Sequence, residues 1–357
     1  MVKARRPIPA EVEEALEKHA EGVQAMLENA GTRTGQTPRQ VIWEKNKAKL
    51  YRYQPSAEKK HPVPILMVYA LINRPYVLDL LPGNSFIEYL TGQGFDVYLL
   101  DWGVPADEDA DLDFEHLILD YMPRAVKKVL RTSAADEYTL LGYCMGGTMS
   151  TMYASLFPEH LKNIVLLTTP IDFAPDKTGL LGLLTDEKHL NPDLLVESFG
   201  NIPGELIDDA MRMLKPVSNY VGVHAAMWEC VLEEKPLDAW KAMNKWTRDV
   251  SPFPGAAFRT WIKEFYQQDK LVKGKVRLRG REVNVSNITC PVLNIAGEKD
   301  HICPLPQAEA TIDLVSSEDK EFFVLDAGHV GLLTGRTAKK DLWPKVGSWL
   351  EARSGAR

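Results

Sequence analysis

Hydrophobic and polar positions follow two different periods along the chain, and the two periods alternate. Short apolar runs that predict buried strands recur between segments whose apolar positions repeat every three to four residues, as in amphipathic helices. The predicted strands are residues 47–55, 63–71, 96–103, 138–141, 163–170, 291–300 and 321–329. The predicted helices among them are residues 84–94, 114–133, 148–157, 304–315 and 342–352. Strands that alternate with helices predict an α/β fold with a mostly parallel sheet.

The alternation stops after Pro170 and resumes near Pro291, and the intervening stretch is too long for a plain loop. This stretch has its own predicted elements, which are helices at residues 192–199, 204–214, 236–246 and 258–268 and a hairpin at 275–285. We interpret residues 171–289 as a mainly helical cap. The cap is inserted into an α/β core made of residues 37–170 and 290–357.

Residues 1–36 form a predicted N-terminal helical extension. Its helix spans residues 11–30 and has one apolar face, made of Val12, Leu16, Ala20, Val23 and Leu27. Such a face packs either on the helix's own chain or on a partner. We favour packing on its own chain.

The composition argues against several classes of partner and against a membrane span. The net charge of −7 argues against nucleic acid or an anionic membrane as the main partner. The first residues are basic but lack the apolar run of a secretory signal, and no apolar run reaches the ~20 residues of a membrane span. We therefore expect no transmembrane segment, and a reducing, cytoplasmic setting.

The cysteines and the basic residues add little chemistry of their own. Cys144, Cys230, Cys290 and Cys303 are widely spaced, without a metal-binding pattern, so we expect free thiols, no metal and no cofactor. The last three of these cysteines are interpreted as packing residues. A basic run alternates with Val276 and Leu278, and its members are Lys273, Lys275, Arg277, Arg279 and Arg281. It would suit the phosphates of a nucleotide-bearing substrate, but the solvated face of a hairpin is favoured.

One cysteine stands in a motif that is typical of a nucleophile. Residues 142–146 read Gly-Tyr-Cys-Met-Gly, between a predicted strand and a predicted helix. The related pattern G-x-S-x-G marks a strained turn that raises a reactive side chain above the sheet. Flanking glycines leave room for the turn, and the following helix N-terminus favours a thiolate. Cys144 is the predicted nucleophile.

An acid and a histidine follow Cys144 in the chain order of an α/β-hydrolase. Asp300 and His329 each end a predicted strand segment, 291–300 and 321–329, where the carboxyl ends of parallel strands meet. His329 is expected to take the thiol proton and Asp300 to orient the imidazole. The neighbouring His301 is interpreted as a supporting residue rather than the base, and Asp326 as a turn or cap residue.

The predicted oxyanion hole uses backbone N–H groups. One belongs to Met145, directly after the nucleophile. The other belongs to the loop after residues 63–71, at Leu71 or Ile72.

A cysteine at this position favours acyl transfer. A thiolate exchanges with an incoming thioester almost without energetic bias, so an acyl-CoA donor would load Cys144 reversibly, and a water-free pocket would pass the acyl group to an alcohol. A cysteine-dependent hydrolase, such as a thioesterase or dienelactone-type hydrolase, is the alternative. A catalytically silent scaffold is a third reading, against which the intact Cys144, Asp300 and His329 argue.

Four stretches resemble polyhydroxyalkanoate synthases. They are "GYCMGGT" (142–148), "GEKDHI" (297–302), "AGHVG" (327–331) and the run "VYALINRPYVLDLLPGNSFIEYLTGQGFDVYLLDWG" (68–103). The length, together with "TPRQVIWEKNKAKLYRY", is most similar to the short two-component types, class III or IV. The resemblance extends from about residue 37 to the C-terminus and shows no departure at the three proposed catalytic positions.

The resemblance implies a function and partners. Cys144 would carry the acyl group and His329 would be the base. Asp300 would be the family's aspartate, which has also been discussed as activating the attacking 3-hydroxyl group. The substrates would be (R)-3-hydroxyacyl-CoA, preferably 3-hydroxybutyryl-CoA, and a growing polyester chain. A mobile cap, a homodimer, a separate partner subunit and association with polyester granules are implied as well.

Overall fold

The computed structural model describes residues 9–27, 32–58, 61–174, 179–233 and 235–355. Its strands are β1 (Gln40–Lys45), β2 (Ala48–Tyr53), β3 (Ile65–Val68), β4 (Asp79–Leu81), β5 (Asn84–Ser85), β6 (Val97–Asp101), β7 (Tyr138–Tyr143), β8 (Leu161–Leu167), β9 (Arg277–Leu278), β10 (Arg281–Glu282), β11 (Val292–Gly297) and β12 (Lys320–Leu325). Its helices are α1 (Ala10–Leu27), α2 (Phe86–Gly92), α3 (Met122–Ser133), α4 (Met145–Leu156), α5 (Leu180–Thr185), α6 (Pro192–Phe199), α7 (Gly204–Met213), α8 (Val223–Leu232), α9 (Asp238–Arg248), α10 (Gly255–Thr260), α11 (Leu305–Leu314), α12 (Gly331–Thr334) and α13 (Trp343–Ser354).

Within the described residues, eight strands form one sheet in the order β1-β2-β6-β3-β7-β8-β11-β12. The six strands from β6 to β12 in this order run parallel, and β1 and β2 are antiparallel. Every residue of β3, β6, β7 and β11 is buried, because helices cover both faces of a parallel sheet. The predicted α/β fold with a mostly parallel sheet is confirmed.

Strand β1 was not predicted from the sequence. It lies at the edge of the sheet, most of its residues are exposed or half-buried, and it pairs only with β2. An edge strand buries too little on either face to show a clear alternation of apolar and polar residues. The hydrophobic pattern therefore missed it.

The chain leaves the sheet after β8 and returns at β11, and these two strands are neighbours in parallel register. Helices α5 to α10 and the hairpin β9–β10 lie between them along the chain. The hairpin turns at Arg279 and Gly280, both with positive φ, as the sequence predicted. Val276 and Leu278 are buried while the basic residues that alternate with and flank them are exposed, so the predicted solvated face is confirmed.

The helix predicted over residues 114–133 contains a wider, π-helical stretch at His116–Tyr121, directly before α3. Pro123 lies at the start of α3. Proline has no N–H group and its ring collides with the carbonyl of residue i−4, here Leu119, so the preceding turn widens.

Helix α1 packs on the inserted segment, but through a different face from the predicted one. The ring of His19 stacks on Trp228 of α8 with centroids 5.0 Å apart, and Gly22 lies against the same indole. Packing on its own chain is thus confirmed. The predicted face is wrong, since Val12, Leu16 and Val23 are 46%, 55% and 40% exposed. Glycine at position 22 lets Trp228 approach, which sets the orientation of the helix. The side chain of Leu27 and residues 28–31 lie outside what the structure describes.

Among the described residues, no helix combines the length and the apolar character that crossing a membrane requires.

Replacing a buried residue of a central strand tests whether packing of the sheet stabilises the fold. Leu166 of β8 is fully buried, so Leu166→Ala removes buried methyl groups and leaves a cavity. We expect it to lower the free energy of unfolding by about 2–5 kcal/mol in urea titrations followed by circular dichroism. Leu194→Ala, at a position that is 59% exposed, is the matched control and should cost less than about 0.5 kcal/mol. Equal losses in both variants would contradict the description of the core.

Candidate active site

Cys144 occupies a strained turn between β7 and α4. Its φ of 55° and ψ of −128° lie where residues other than glycine rarely occur. The segments around the turn approach closely because the residues two positions before and after Cys144 are glycines. A Cβ atom at Gly142 would lie 2.4 Å from Cα of Gly147, and one at Gly146 would lie 2.2 Å from the carbonyl oxygen of Val68. The two glycines of the motif therefore allow β7, α4 and the end of β3 to converge beneath the cysteine.

Asp300 and His329 stand after β11 and β12 and form a buried pair. Nδ1 of His329 lies 2.7 Å from Oδ2 of Asp300, and the aspartate side chain is 0% exposed. The other oxygen, Oδ1, accepts the backbone N–H groups of Ile302 and Cys303, each at 2.9 Å. The carboxylate is thus held on both oxygens, and it fixes the imidazole in turn.

The electrostatics favour a charged pair. Burial lowers the pKa of His329, but the negative charge of Asp300, the Cys144 sulfur and hydrogen bonds to both outweigh burial and raise the pKa to about 10. Burial raises the pKa of Asp300, but the charge of His329 and hydrogen bonds from His329, the Cys303 N–H and the Thr168 hydroxyl bring it below its usual value. An imidazolium beside a cysteine favours the thiolate, which is the nucleophilic form.

Tyr143, the residue before the nucleophile, contacts both the backbone and the ring of His329. Its hydroxyl donates to the carbonyl oxygen of His329 at 3.2 Å, and the two rings lie 5.3 Å apart. Tyr143 also stacks on Tyr69 with centroids 5.5 Å apart. Two buried tyrosine rings, of Tyr69 and Tyr143, therefore pack in succession towards the histidine.

The loop after β3 runs against the turn. Beyond Val68, this loop also brings Tyr69 to Gly146, and the indole N–H of Trp102 donates to the carbonyl oxygen of Tyr69 at 2.8 Å. Leu71 is buried and Ile72 is half-buried two and three residues further on. Met145 opens α4, where backbone N–H groups lack acceptors within the helix. The loop after β3 therefore packs against the turn that carries Cys144, and Leu71 and Ile72 as oxyanion donors stay a prediction.

The remaining candidates occupy different surroundings. His301 is half-buried beside the pair, and burial, followed by the positive charges of Lys215 and His329, lowers its pKa. Asp326 is 65% exposed and its carboxylate lies 2.5 Å from Nζ of Lys299 at the surface. A surface ion pair of this kind does not connect Asp326 to the buried pair.

Two of the other cysteines lie in surroundings that do not favour a thiolate. Cys303 is fully buried, and burial raises the pKa of Cys290 to about 12, which keeps it a thiol. Among the residues that the structure describes, no group of three or more histidine, cysteine, aspartate or glutamate side chains is placed to hold a metal ion.

The sequence did not single out Thr168, which contacts both members of the buried pair. Its hydroxyl lies 2.8 Å from Oδ2 of Asp300 and 2.8 Å from Nδ1 of His329. A weak signal was available, because Thr168 lies near the end of the predicted strand 163–170, as Asp300 and His329 lie at the ends of theirs. Its proximity to them depends on strand order, since β8 lies between β7 and β11.

Family models match three parts of the chain. The α/β hydrolase fold model matches residues 63–199, the N-terminal model of poly-beta-hydroxybutyrate polymerase matches residues 15–90, and the C-terminal model of PHB de-polymerase matches residues 256–354. The second of these begins at residue 15, so the similarity starts well before residue 37, where the sequence motifs placed its beginning.

Two curated relatives are similar over nearly the whole chain, and both are named poly(3-hydroxyalkanoate) polymerase subunit PhaC. The protein of Haloferax mediterranei is 39% identical over 90% of this chain, which covers 65% of that longer protein. The protein of Allochromatium vinosum is 37% identical over 94% of both chains. Among solved structures, epoxide hydrolase A of Mycobacterium thermoresistibile matches with a TM-score of 0.50 at 15% identity, covering 90% of this chain and 99% of that one. That likeness shows the α/β-hydrolase fold.

The raised pKa of His329 predicts a pH-dependent contribution to stability. The folded protein binds a proton at His329 up to about pH 10, whereas an unfolded histidine releases it near pH 6.5. The contribution is therefore fully present below about pH 6.5 and is lost as the pH rises through about 10. Urea unfolding of the parent and of His329→Gln should give a stability difference that shrinks between pH 6 and pH 10. A difference that stays constant over this range would show that His329 is not held charged.

Proposed function

Because this chain belongs to the poly(3-hydroxyalkanoate) polymerase family, we propose that it polymerises (R)-3-hydroxyacyl-CoA, chiefly 3-hydroxybutyryl-CoA, through a thioester on Cys144. Members of this family are acyltransferases. The observation that carries the mechanism is the cysteine at a strained turn together with the buried, hydrogen-bonded pair of His329 and Asp300.

Acylation begins at the Cys144 sulfur. The thiolate attacks the carbonyl carbon of the acyl-CoA, and the C–S bond to coenzyme A then breaks. The departing thiolate takes the proton of the His329 imidazolium, so coenzyme A leaves as a free thiol and His329 becomes neutral. Backbone N–H groups of Met145 and of Leu71 or Ile72 stabilise the oxyanion that forms in between.

Chain growth uses the neutral His329. It removes the proton from the 3-hydroxyl group of the acceptor, whose oxygen attacks the thioester carbonyl. The C–S bond to Cys144 breaks, an ester forms, and the imidazolium with its thiolate is restored. The first transfer exchanges one thioester for another of similar energy, and the second converts a thioester into a more stable oxoester, so no other activation is required.

Asp300 is assigned to orientation rather than to proton removal. Its carboxylate accepts from two backbone N–H groups, from His329 and from Thr168, and its side chain is fully buried. An incoming hydroxyl group would have to displace one of these donors. His329 is therefore the proposed base for both half-reactions.

Residues 171–289 are proposed to form the cap that keeps water from the acyl-enzyme. The start of this segment is tied to its end by aromatic packing, since Phe173 contacts Trp261, Phe265 and Tyr266 at centroid distances of 4.8–5.7 Å. The proposed division therefore keeps 37–170 and 290–357 as the core and 1–36 as the extension.

Assembly is part of the proposal. Both reported relatives are named subunits, which supports a partner subunit, and we add a homodimer that works at the surface of cytoplasmic polyester granules. Exposed apolar side chains on the inserted segment provide surface for such contacts, and they include Leu194, Phe199, Val217, Val221 and Leu232.

Supplying 3-hydroxybutyryl-CoA tests the function. We expect coenzyme A release, followed with a thiol reagent, to accompany a polymer that size-exclusion chromatography resolves. Free 3-hydroxybutyrate as the sole product, with and without a candidate partner subunit, would reject the polymerase and leave a cysteine-dependent hydrolase.

Substitution of the nucleophile tests the mechanism. Cys144→Ala should abolish coenzyme A release, and Cys144→Ser should lower it by at least about a thousandfold, because a serine hydroxyl ionises far less readily than a thiol. Mass spectrometry should find the acyl adduct on the Cys144 peptide of the parent only. Cys290→Ala, at a half-buried cysteine, is the control and should retain the parent rate. If Cys144→Ala still releases coenzyme A, another residue must be the nucleophile.

A further inference from the structure

Thr168 closes a hydrogen-bonded triangle with the buried pair. Its hydroxyl oxygen lies 2.8 Å from Oδ2 of Asp300 and 2.8 Å from Nδ1 of His329, and those two atoms are themselves 2.7 Å apart. The side chain is 0% exposed, so no solvent competes for these contacts.

We propose that Thr168 is a positioning residue for the acyl transfer proposed above, on which this inference rests. Its hydroxyl donates to Asp300 and accepts from Nδ1–H of His329. This arrangement aims the opposite ring nitrogen, Nε2, at the Cys144 sulfur.

The chemistry of a hydroxyl group suits this position. A hydroxyl both donates and accepts, whereas a carboxylate only accepts. With Oδ2 and the threonine oxygen both beside Nδ1, the proton on that nitrogen is fixed in the neutral as well as the charged imidazole. Nε2 is then the nitrogen that exchanges a proton with the sulfur, coenzyme A or the acceptor hydroxyl.

A second contact at Nδ1 also restricts ring rotation. The torsion that turns a histidine ring is broad, so a second contact at Nδ1 narrows the range of ring orientations that the bond to Asp300 allows. The Tyr143 hydroxyl holds only the backbone carbonyl of His329, and the N–H groups of Ile302 and Cys303 hold only the aspartate. Of these contacts, that of Thr168 alone joins both side chains.

The backbone at Thr168 is itself strained. Its φ of 44° lies in the left-handed region, which a β-branched residue rarely adopts. Its N–H group donates to the carbonyl oxygen of Ile295 in β11 at 2.7 Å, which holds the residue between β8 and the strand that carries Asp300. The sheet therefore stabilises an unfavourable conformation that presents this hydroxyl to the pair.

Variants that remove only the hydroxyl separate positioning from packing. Thr168→Val deletes the hydroxyl at nearly constant volume, and Thr168→Ser retains it. The matched control is Thr139→Val in β7, because Thr139 is equally buried and its hydroxyl accepts from Nδ2 of Asn163 at the other end of the strand. Melting temperatures show whether each variant is folded, and Thr168→Ala replaces the valine variant if it is not.

Two readouts are measured on each variant. The first is kcat and KM for coenzyme A release from 3-hydroxybutyryl-CoA. The second is the pH dependence of iodoacetamide alkylation at Cys144, read from the mass of its peptide, which needs no substrate.

For Thr168→Val we expect kcat to fall at least about tenfold with KM within about twofold of the parent, since the loss is one of geometry rather than binding. The midpoint of Cys144 alkylation should move to higher pH, because a less firmly held imidazolium stabilises the thiolate less. Thr168→Ser should restore both properties, and Thr139→Val should change neither.

Parent-like kcat and alkylation in folded Thr168→Val would overturn the proposal. So would equal losses in the serine and valine variants, which would assign the effect to the lost methyl group. If the alkylation shift appears while the parent makes no polymer, the positioning role stands and the proposed polymerase function fails.

Discussion

The structure depends on a close approach of three backbone segments beneath Cys144. Strand β7, helix α4 and the end of β3 meet at Gly142 and Gly146, where a Cβ atom would collide with neighbouring main-chain atoms. Because these segments pack so closely, Cys144 is held in a strained backbone conformation, which is energetically unfavourable. The favourable burial of the central strands offsets that cost, so a stable sheet supports a strained turn at its edge.

The parallel sheet then concentrates the chemistry at one edge. Cys144, Thr168, Asp300 and His329 follow β7, β8, β11 and β12, which are consecutive in the sheet. Carboxyl ends of parallel strands lie along a common edge, so residues that are far apart in sequence become neighbours. Burial then strengthens the interaction between Asp300 and His329, because little water screens their charges.

The long connection between β8 and β11 begins and ends at two adjacent parallel strands of this sheet. Adjacent parallel strands in register tolerate any length of connecting chain, provided that the chain folds on itself. Here the connection forms helices α5 to α10 and a hairpin, and α1 packs on it through His19 and Trp228. Helix α1 therefore contacts this connection, while β8 and β11 remain neighbours in the sheet.

Periodicity and motif spacing determined much of this protein in advance. Alternating strands and helices fixed the fold class, and the positions of Cys144, Asp300 and His329 at strand ends identified the candidate site, because both are encoded in local patterns. Strand β1 was not predicted because an edge strand has no strong alternation of apolar and polar residues. The contacts of Thr168 were not predicted because no local stretch of sequence encodes the order of strands in the sheet. The packing face of α1 was decided by a glycine that admits a tryptophan more than 200 residues away. The raised pKa of His329 was decided by the negative charge of Asp300, which outweighs the opposite effect of burial. Such properties arise from long-range packing, so only the tertiary structure decides them.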